Sequence, residues 1–133
     1  MSEKRDEGPQ DLSALLTSLA DAEYCYLTTT GRVSGNPHEI EIWFGLRGRT
    51  IYLLSGNREK SDWVRNLQSH PQVHVRIGKY TFQAGGRIVN DAAEDKQARE
   101  LLDGKYEEWK PGQPLSEWAE TALPIAFDVQ SIQ

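Results

Sequence analysis

The sequence of 133 residues predicts a mainly β (α+β) domain, in which a six-stranded antiparallel sheet closes into a small barrel with helices at its rim. Apolar and polar residues alternate over several short segments, as they do in half-buried antiparallel strands. Tight turns join most of these segments, which favours antiparallel over parallel pairing. Six short strands without a long polar edge are expected to close on themselves.

Two helices precede the middle of the chain. The first is predicted over residues 11–22, with Asp11 as its N-cap, because four leucines have helical spacing. These are Leu12, Leu15, Leu16 and Leu19. The second helix is predicted over residues 61–69, before Pro71, with Ser61 or Asp62 as its cap. We expect this helix to bury Trp63, Val64 and Leu67 and to be held against the barrel by Trp63.

Three strands are predicted in the same half of the chain, over residues 24–30, 38–45 and 51–54. The middle one alternates, with Ile40, Ile42 and Phe44 on one face. Its other face carries Glu39, Glu41 and Trp43. Such alternation is typical of a strand with one buried face.

The second half of the chain is predicted to add a hairpin, a helix and a last strand. Alternating residues 73–77 and residues 80–89 form the hairpin, with a bulge or a close backbone approach at Gly85 and Gly86. Asp91 and Glu94 have capping-box spacing at the start of a helix that carries Trp109. The final strand is predicted to begin after Pro124.

Length and composition limit the class of protein. A chain of this size forms a single core, so we expect one domain over residues 11–133 after a flexible N-terminal tail of residues 1–10. No apolar run reaches the roughly 18 residues of a membrane span, and the polar N-terminus lacks the apolar core of a signal peptide. We therefore expect a soluble cytoplasmic protein without stable membrane insertion.

The charge is distributed unevenly along the chain. The net charge is −5, which argues against general nucleic-acid binding. Residues 28–87, however, contain nine Lys or Arg and only four Asp or Glu. A small basic surface in an acidic protein suits one compact anion, because nonspecific nucleic-acid binding increases with the number of neutralised phosphates. Unevenly solvated charge is the simpler alternative.

Familiar catalytic and metal motifs are missing. His38-Glu39 begins like a zinc-protease motif, but Ile42 stands where the second histidine belongs. His70 and His74 cannot share a helix face, so we predict no metal site. No nucleophile elbow or phosphate-binding glycine fingerprint occurs. The single cysteine, Cys25, excludes an intramolecular disulfide and is predicted to be an inert buried thiol.

Two loops that follow strands carry the anion donors. The first, residues 28–38, combines hydroxyls, glycine N–H groups and an arginine. The second, residues 55–60, leads to the N-terminus of a helix, where unpaired N–H groups attract negative charge. The candidate binding residues are Thr30, Gly31, Arg32, Ser34, Gly35, His38, Ser55, Gly56, Arg58, Lys60, Trp63 and Asn66. Ordinary solvated loops are the structural alternative for both.

The same residues resemble a known family. Residues 28–35, T-T-T-G-R-V-S-G, and residues 63–67, W-V-R-N-L, are similar to segments of the deazaflavin-dependent nitroreductases. These enzymes are a branch of the flavin-binding split β-barrel, or pyridoxamine phosphate oxidase-like, superfamily. The likeness continues through residues 119–129. The commonest loop of the family reads G-R-K-S-G, so Val33 replaces a lysine here, and His38 stands where arginine is frequent.

The resemblance implies a split β-barrel and a homodimer that binds coenzyme F-420, a deazaflavin that carries a hydride. The glycine-arginine loop is then expected to hold the phosphate of the coenzyme, with a small-molecule electron acceptor as partner. The expected activity is reduction of a quinone, a nitro compound or an activated alkene. An oxidoreductase with FMN as its cofactor and a non-catalytic carrier of an anionic or lipid-like ligand remain as alternatives.

Hydride transfer requires the protein to stack the ring, orient the acceptor and exclude water. Three aromatic residues around the third predicted helix are candidates to cover a planar acceptor: Tyr106, Trp109 and Trp118. We predict Tyr106 as the catalytic residue, because a tyrosine hydroxyl can donate the accompanying proton. Ordinary packing is the alternative for all three rings.

Overall fold

The computed structural model of the protein describes residues 9–133. Residues 1–8 of the predicted tail lie outside the described residues. The helices are α1 (Pro9–Ser18), α2 (Asp62–Ser69), α3 (Ala92–Tyr106) and α4 (Glu117–Thr121), and a short 3₁₀ turn spans Arg58–Lys60. The strands are β1 (Cys25–Thr30), β2 (Pro37–Ile42), β3 (Gly45–Arg47), β4 (Thr50–Ser55), β5 (Gln72–Ile77), β6 (Tyr80–Ile88) and β7 (Leu123–Ile132).

The strands form one antiparallel sheet in the order β2-β1-β5-β6-β7-β4-β3. Its two edge strands, β2 and β3, are joined only by Trp43 and Phe44. The connection from Ile42 to Gly45 has three Cα–Cα steps and can span at most about 11 Å. The sheet must therefore curl until its two edges approach each other. This curled sheet confirms the predicted antiparallel barrel. The strand count is seven instead of six, because the segment expected to be one strand turns at Trp43 and pairs at both edges.

Two clusters of buried residues hold the elements together. The larger lies under α1 and α2 and contains Leu16, Leu67, Phe82 and Phe127. The smaller lies under α3 and α4. β4 serves both clusters, since Leu53 belongs to the first and its neighbours Tyr52 and Leu54 belong to the second. A strand buried on both faces explains the nearly continuous apolar sequence of β4.

The helix ends differ from their predictions. The first helix begins at Pro9 and ends at Ser18, so Asp11 lies in its first turn and is not the cap. Proline is tolerated in a first turn because its missing N–H would have no partner there. The four leucines nevertheless pack on the core as predicted.

The caps of the other helices depend on local competition for hydrogen bonds. Ser61 precedes α2 but does not cap it, because its Oγ lies 2.7 Å from the Oγ of Ser55. Asp91 does cap α3, since its Oδ2 accepts from the N–H of Glu94 at 2.9 Å. Trp109 lies beyond the end of α3. The sequence patterns did not predict α4, which Ser116 caps at Ala119.

Arg87 on β6 connects three elements. Its guanidinium donates to both carboxylate oxygens of Glu94 at 2.8 Å and to Asp128 at 2.7 Å. Tyr52 donates its hydroxyl to Glu94 at 2.6 Å. The hydrogen bonds from Arg87 lower the pKa of Glu94 to about 2, against the effect of burial. They also lower the pKa of Asp128.

These lowered pKa values predict an acid-dependent loss of stability. A carboxylate with a folded pKa below its unfolded value stabilises the protein above the unfolded pKa, and this contribution is lost as the pH falls through the folded pKa. Solvent screens part of the network, so we expect about 2 kcal/mol to be lost between about pH 5 and pH 2. Unfolding free energies of the wild type and Glu94→Gln test this. The variant should be less stable at pH 7 and flatter below pH 5, and parallel curves would contradict the prediction.

Candidate cofactor site

A groove lies between the β1–β2 loop and α2. Its volume is about 690 Å³, within the range of cofactor pockets. Twelve residues line it: Thr29, Gly31, Arg32, Val33, Ser34, Pro37, His38, Glu39, Ile40, Asp62, Trp63 and Asn66. The groove therefore joins the glycine-arginine loop to the helix that follows the second predicted loop.

The loop is a closed turn that depends on two glycines. The N–H of Gly31 donates to the carbonyl of Asn36 at 2.8 Å, and the N–H of Gly35 donates to the carbonyl of Gly31 at 2.9 Å. Gly35 has a φ of +75°, a backbone angle that residues other than glycine rarely adopt. A Cβ at Gly31 would lie 2.6 Å from Ser34 Oγ and 2.7 Å from His38 Nε2. Glycine at this position lets the serine and the histidine close over the turn.

Arg32 fastens the turn to α2. Its Nη1 donates to Asn66 Oδ1 at 2.8 Å, and its backbone N–H donates to the same oxygen at 3.1 Å. Asn66 is buried, with 4% exposure, and its Nδ2 donates to Thr29 Oγ1 at 3.2 Å. Asn66 therefore uses both ends of its amide to hold β1 and the turn on the helix. The sequence indicated Arg32 and Asn66 separately, whereas the fold joins them.

Asp62 competes for the charge of Arg32. Arg32 Nη2 lies 3.1 Å from Asp62 Oδ1, and the Asp62 side chain is 84% exposed. Glu39 also lines the groove, and its carboxylate lies 3.8 Å from Arg76 Nη2. The lining therefore carries one arginine against two carboxylates, so its fixed charges do not sum to a positive value. Neither Asp62 nor Glu39 was among the sequence candidates. Each, however, is adjacent in the sequence to a candidate: Asp62 to Trp63 and Glu39 to His38.

Backbone donors at the tip of the turn remain available. In the described part of the chain, the N–H groups of Val33 and Ser34 donate to no protein acceptor. The Val33 side chain is 94% exposed, so it does not cover them. Two free N–H groups beside an arginine are the donors that one phosphate needs. The donor set thus fits a single phosphate group, but offers little for a longer series of anions.

Comparisons with known proteins assign the chain to a family. It matches, over residues 10–130, the model of a family described as F420H(2)-dependent quinone reductase. The chain belongs to this family. No curated protein matches its sequence.

Solved structures agree on the fold of this deazaflavin-dependent quinone reductase family member. A Bacteroides thetaiotaomicron protein with a proposed role in 5-nitroimidazole antibiotic resistance is 19% identical, with a TM-score of 0.71, over 96% of this chain and 82% of its own. A Listeria innocua protein proposed to be a pyridoxamine 5′-phosphate oxidase is 17% identical, with a TM-score of 0.69, over 92% and 95%. An F420 reductase is 20% identical, with a TM-score of 0.60, over 87% and 94%. The predicted split β-barrel is therefore confirmed.

Trp63 occupies the groove wall in this quinone reductase family member. It is only partly buried, and its ring centroid lies 6.4 Å from that of Phe127. The helix therefore packs Trp63 against the core as expected, but buries its ring only in part. The cause is the position of α2, which presents Val64 and Leu67 to the core and leaves Trp63 at the groove.

The second predicted loop does not line the groove. Ser55 is buried and donates its hydroxyl to the carbonyl of Arg58 at 2.9 Å. Arg58 Nη1 donates to the carbonyl of Thr121 at 2.7 Å, so this arginine is engaged at the C-terminal end of α4. Gly56 and Lys60 are exposed, outside the groove lining. Thr30 is likewise outside the lining, and its neighbour Thr29 takes that position.

Tyr106 lies away from the groove, where its ring stacks on that of Trp43. Its hydroxyl accepts from the N–H of Phe44 at 3.0 Å and lies 2.6 Å from the carbonyl of Glu23. Burial raises the pKa of this hydroxyl to about 12. Its hydrogen bonds secure the chain between β2 and β3. Proton donation by Tyr106 stays a prediction, and the structure shows the hydroxyl in a structural role.

The remaining predictions concern Cys25, metals and membranes. Cys25 is fully buried, and burial raises the pKa of its thiol to about 12, as expected of an inert thiol. Within residues 9–133, no group of three or more His, Cys, Asp or Glu side chains is arranged to hold a metal ion. No helix in the same range has the length and apolar character to cross a membrane.

Proposed function

We propose that this chain is a reductase that uses reduced coenzyme F-420 to reduce a quinone, a nitro compound or an activated alkene. One observation supports the proposal most: this chain, which belongs to the family, has a groove lined by hydrogen-bond donors at its glycine-arginine turn. The carrier alternative has less support, because Val33 is exposed and does not line an enclosed apolar site. The homodimer and the cytoplasmic location remain predictions.

The residues of the groove would hold the phosphate and the ring of the coenzyme. The N–H groups of Val33 and Ser34 provide two neutral donors, and Arg32 adds a charged one. Charge-assisted hydrogen bonds are about twice as strong as neutral ones, so Arg32 is expected to contribute most. Trp63, partly exposed in the groove wall, offers an aromatic surface to a flat ring.

The chemistry divides between the coenzyme and the protein. When bound, the reduced deazaflavin supplies a hydride, and a quinone that gains this hydride and one proton becomes a hydroquinone. The protein binds the reactants, orients them and excludes water. None of this requires a nucleophilic side chain, which agrees with the buried state of Cys25.

A cofactor titration tests the proposal. Purified protein is titrated with reduced and oxidised F-420 and with FMN at fixed ionic strength. We expect the lowest Kd for the deazaflavin, and colourless protein from a host that lacks it. FMN retained in stoichiometric amount through dialysis would contradict the proposal and favour the FMN-dependent alternative. Binding of neither cofactor would favour the carrier.

A further inference from the structure

A second pocket, separate from the groove, lies where the chain leaves β2. Its volume is about 280 Å³, and it is lined by Tyr24, Glu41, Ile42, Trp43, Leu54 and Trp118. We refer to these six residues as the tryptophan pocket. Three of them are aromatic and two are aliphatic, which leaves Glu41 as the only charged lining residue. The volume suits one or two fused aromatic rings.

The rings of the tryptophan pocket are held in fixed positions. Trp43 stacks on Tyr106 with centroids 4.3 Å apart and planes within 1° of each other. The Tyr106 hydroxyl accepts from the N–H of Phe44 in this turn and donates to the carbonyl of Glu23, which precedes β1. Trp118 lies 5.5 Å from Trp43 at an interplanar angle of 84°. Tyr106 thus covers one face of the Trp43 ring and Trp118 packs nearly perpendicular to it, yet Trp43 remains 41% exposed.

Exposure of a rigid indole in the turn between β2 and β3 calls for a ligand-based explanation. Large apolar side chains that are exposed in a concave site commonly mark binding surfaces. A planar aromatic ligand can stack on the free face of Trp43, because offset stacking is the favoured arrangement of two rings. The ring of Tyr106 cannot take that face, since it already covers the other one.

Glu41 gives the tryptophan pocket a negative charge. Its Oε1 accepts from the Tyr26 hydroxyl at 3.1 Å, and among the described residues no cation lines the pocket. Arg76 lies over the ring of Tyr26 and pairs with Glu39, and the Lys105 ammonium donates to the carbonyl of Phe44 at 3.0 Å, outside the pocket lining. A carboxylate ligand in the pocket would therefore be repelled by Glu41, whereas a cationic ring would be attracted to it.

One strand connects this pocket to the cofactor groove. Residues 37–40 line the groove, and Glu41 and Ile42 line the tryptophan pocket. Adjacent residues of a strand lie about 3.3 Å apart, so the two sites are neighbours along β2. A ligand in the tryptophan pocket would lie beside a coenzyme in the groove.

We propose that the tryptophan pocket binds a planar aromatic ligand that is neutral or cationic, and that Glu41 excludes anionic ones. The same pocket would be the acceptor site of the reductase, a reading that rests on the proposed function. It names the acceptor class: uncharged or positively charged quinones and nitroaromatics, in preference to carboxylated or sulfonated ones.

Three probes of one ring and different charge test the site without any cofactor: 1-methylnicotinamide, nicotinamide and nicotinate. Kd is measured at pH 8 from quenching of tryptophan fluorescence. We expect nicotinate to bind about tenfold more weakly than the cation, because the partly exposed carboxylate of Glu41 repels the anion and attracts the cation. In Glu41→Gln this ratio should fall to about two. Glu39→Gln, which changes the other carboxylate of β2, is the matched control and should retain the ratio of the wild type.

The location is checked with Trp118→Leu, which should weaken all three probes several-fold without changing their ratio. Equal Kd values for the three probes in the wild type, no binding at millimolar concentration, or an unchanged ratio in Glu41→Gln would each overturn the proposal. A separate assay compares kcat/KM for neutral and carboxylated quinones with reduced F-420. Failure to turn over any acceptor would contradict the proposed function, whereas the probe ratios alone decide the binding site.

Discussion

Replacing Arg32 by alanine is expected to weaken binding of reduced coenzyme F-420 by roughly 10- to 150-fold, because a charge-assisted contact with a phosphate contributes about 1.5 to 3 kcal/mol. Among the described residues that line the groove, Arg32 carries the only fixed positive charge. It also fastens the turn to Asn66, so the variant is expected to lose the position of the turn as well as the charge. Dissociation constants at low and high salt measure the effect.

Three companion variants separate the charge of Arg32 from its fastening role. Asn66→Ala removes the fastening but keeps the charge, so its binding should weaken while its salt dependence remains. Asp62→Asn removes the competing carboxylate 3.1 Å from Arg32 and should tighten binding. Val33→Lys adds a charge at an exposed position of the turn and should tighten binding too, since an added cation attracts the phosphate.

Salt provides a further check on Arg32. Added salt should weaken the wild type more than Arg32→Ala, because the variant has less attraction to screen. Far-ultraviolet circular dichroism and melting curves show whether each variant keeps the fold. Equal Kd values for the wild type, Arg32→Ala and Val33→Lys would place the anion elsewhere on the molecule.

Asp103→Ala is expected to lower the free energy of unfolding by about 3 kcal/mol, because it removes a buried acceptor and leaves its partners unpaired. Asp103 is 1% exposed. Its carboxylate accepts from the Ser116 hydroxyl at 2.6 Å and from the Ser116 N–H at 2.8 Å. These bonds hold the start of α4 against α3, beside the smaller core cluster.

Urea and thermal unfolding measure this effect, and the expected decrease in Tm is on the order of 10 °C. Ser116→Ala serves as the graded comparison. It removes the hydroxyl but keeps the backbone donor, so it should cost only about 1 kcal/mol. Asp91→Ala removes an exposed helix cap and should have a similarly small effect. A stability of Asp103→Ala close to the wild-type value would mean that the carboxylate does not connect the two helices.

The strands were predictable because their signals are local. The patterns of β1 and β5 depend on neighbouring residues only, and both strands form where the pattern indicates. The last strand was predicted to begin after Pro124, but β7 begins at Leu123 and includes Pro124, which pairs with Leu54 of β4. The division between β2 and β3 was not predictable in the same way. The alternation continues through Trp43 and Phe44, and only the pairing of the two segments with opposite sheet edges shows where the strand breaks.

The groove shows a similar division between local and distant information. The turn was predictable as an anion site because its glycines, hydroxyls and arginine are consecutive. The second loop has a similar local composition, but its polar groups bond to each other and to the C-terminal end of α4. Whether a donor is free for a ligand depends on partners that are distant in the sequence.

The amino-acid sequence by itself determined the antiparallel sheet, most helix faces and the glycine-arginine turn, since hydrophobic period and turn chemistry act over a few residues. Only the tertiary structure decided that Asn66 and Asp62 share Arg32, that Trp63 remains at the groove wall, and that Trp43 stacks on Tyr106. Arg32 lies tens of positions before Asp62 and Asn66 in the sequence, and Trp43 lies tens of positions before Tyr106. These contacts depend on how the sheet curls, because curling brings the β1–β2 turn to α2 and the end of β2 to α3. No local sequence pattern encodes either approach.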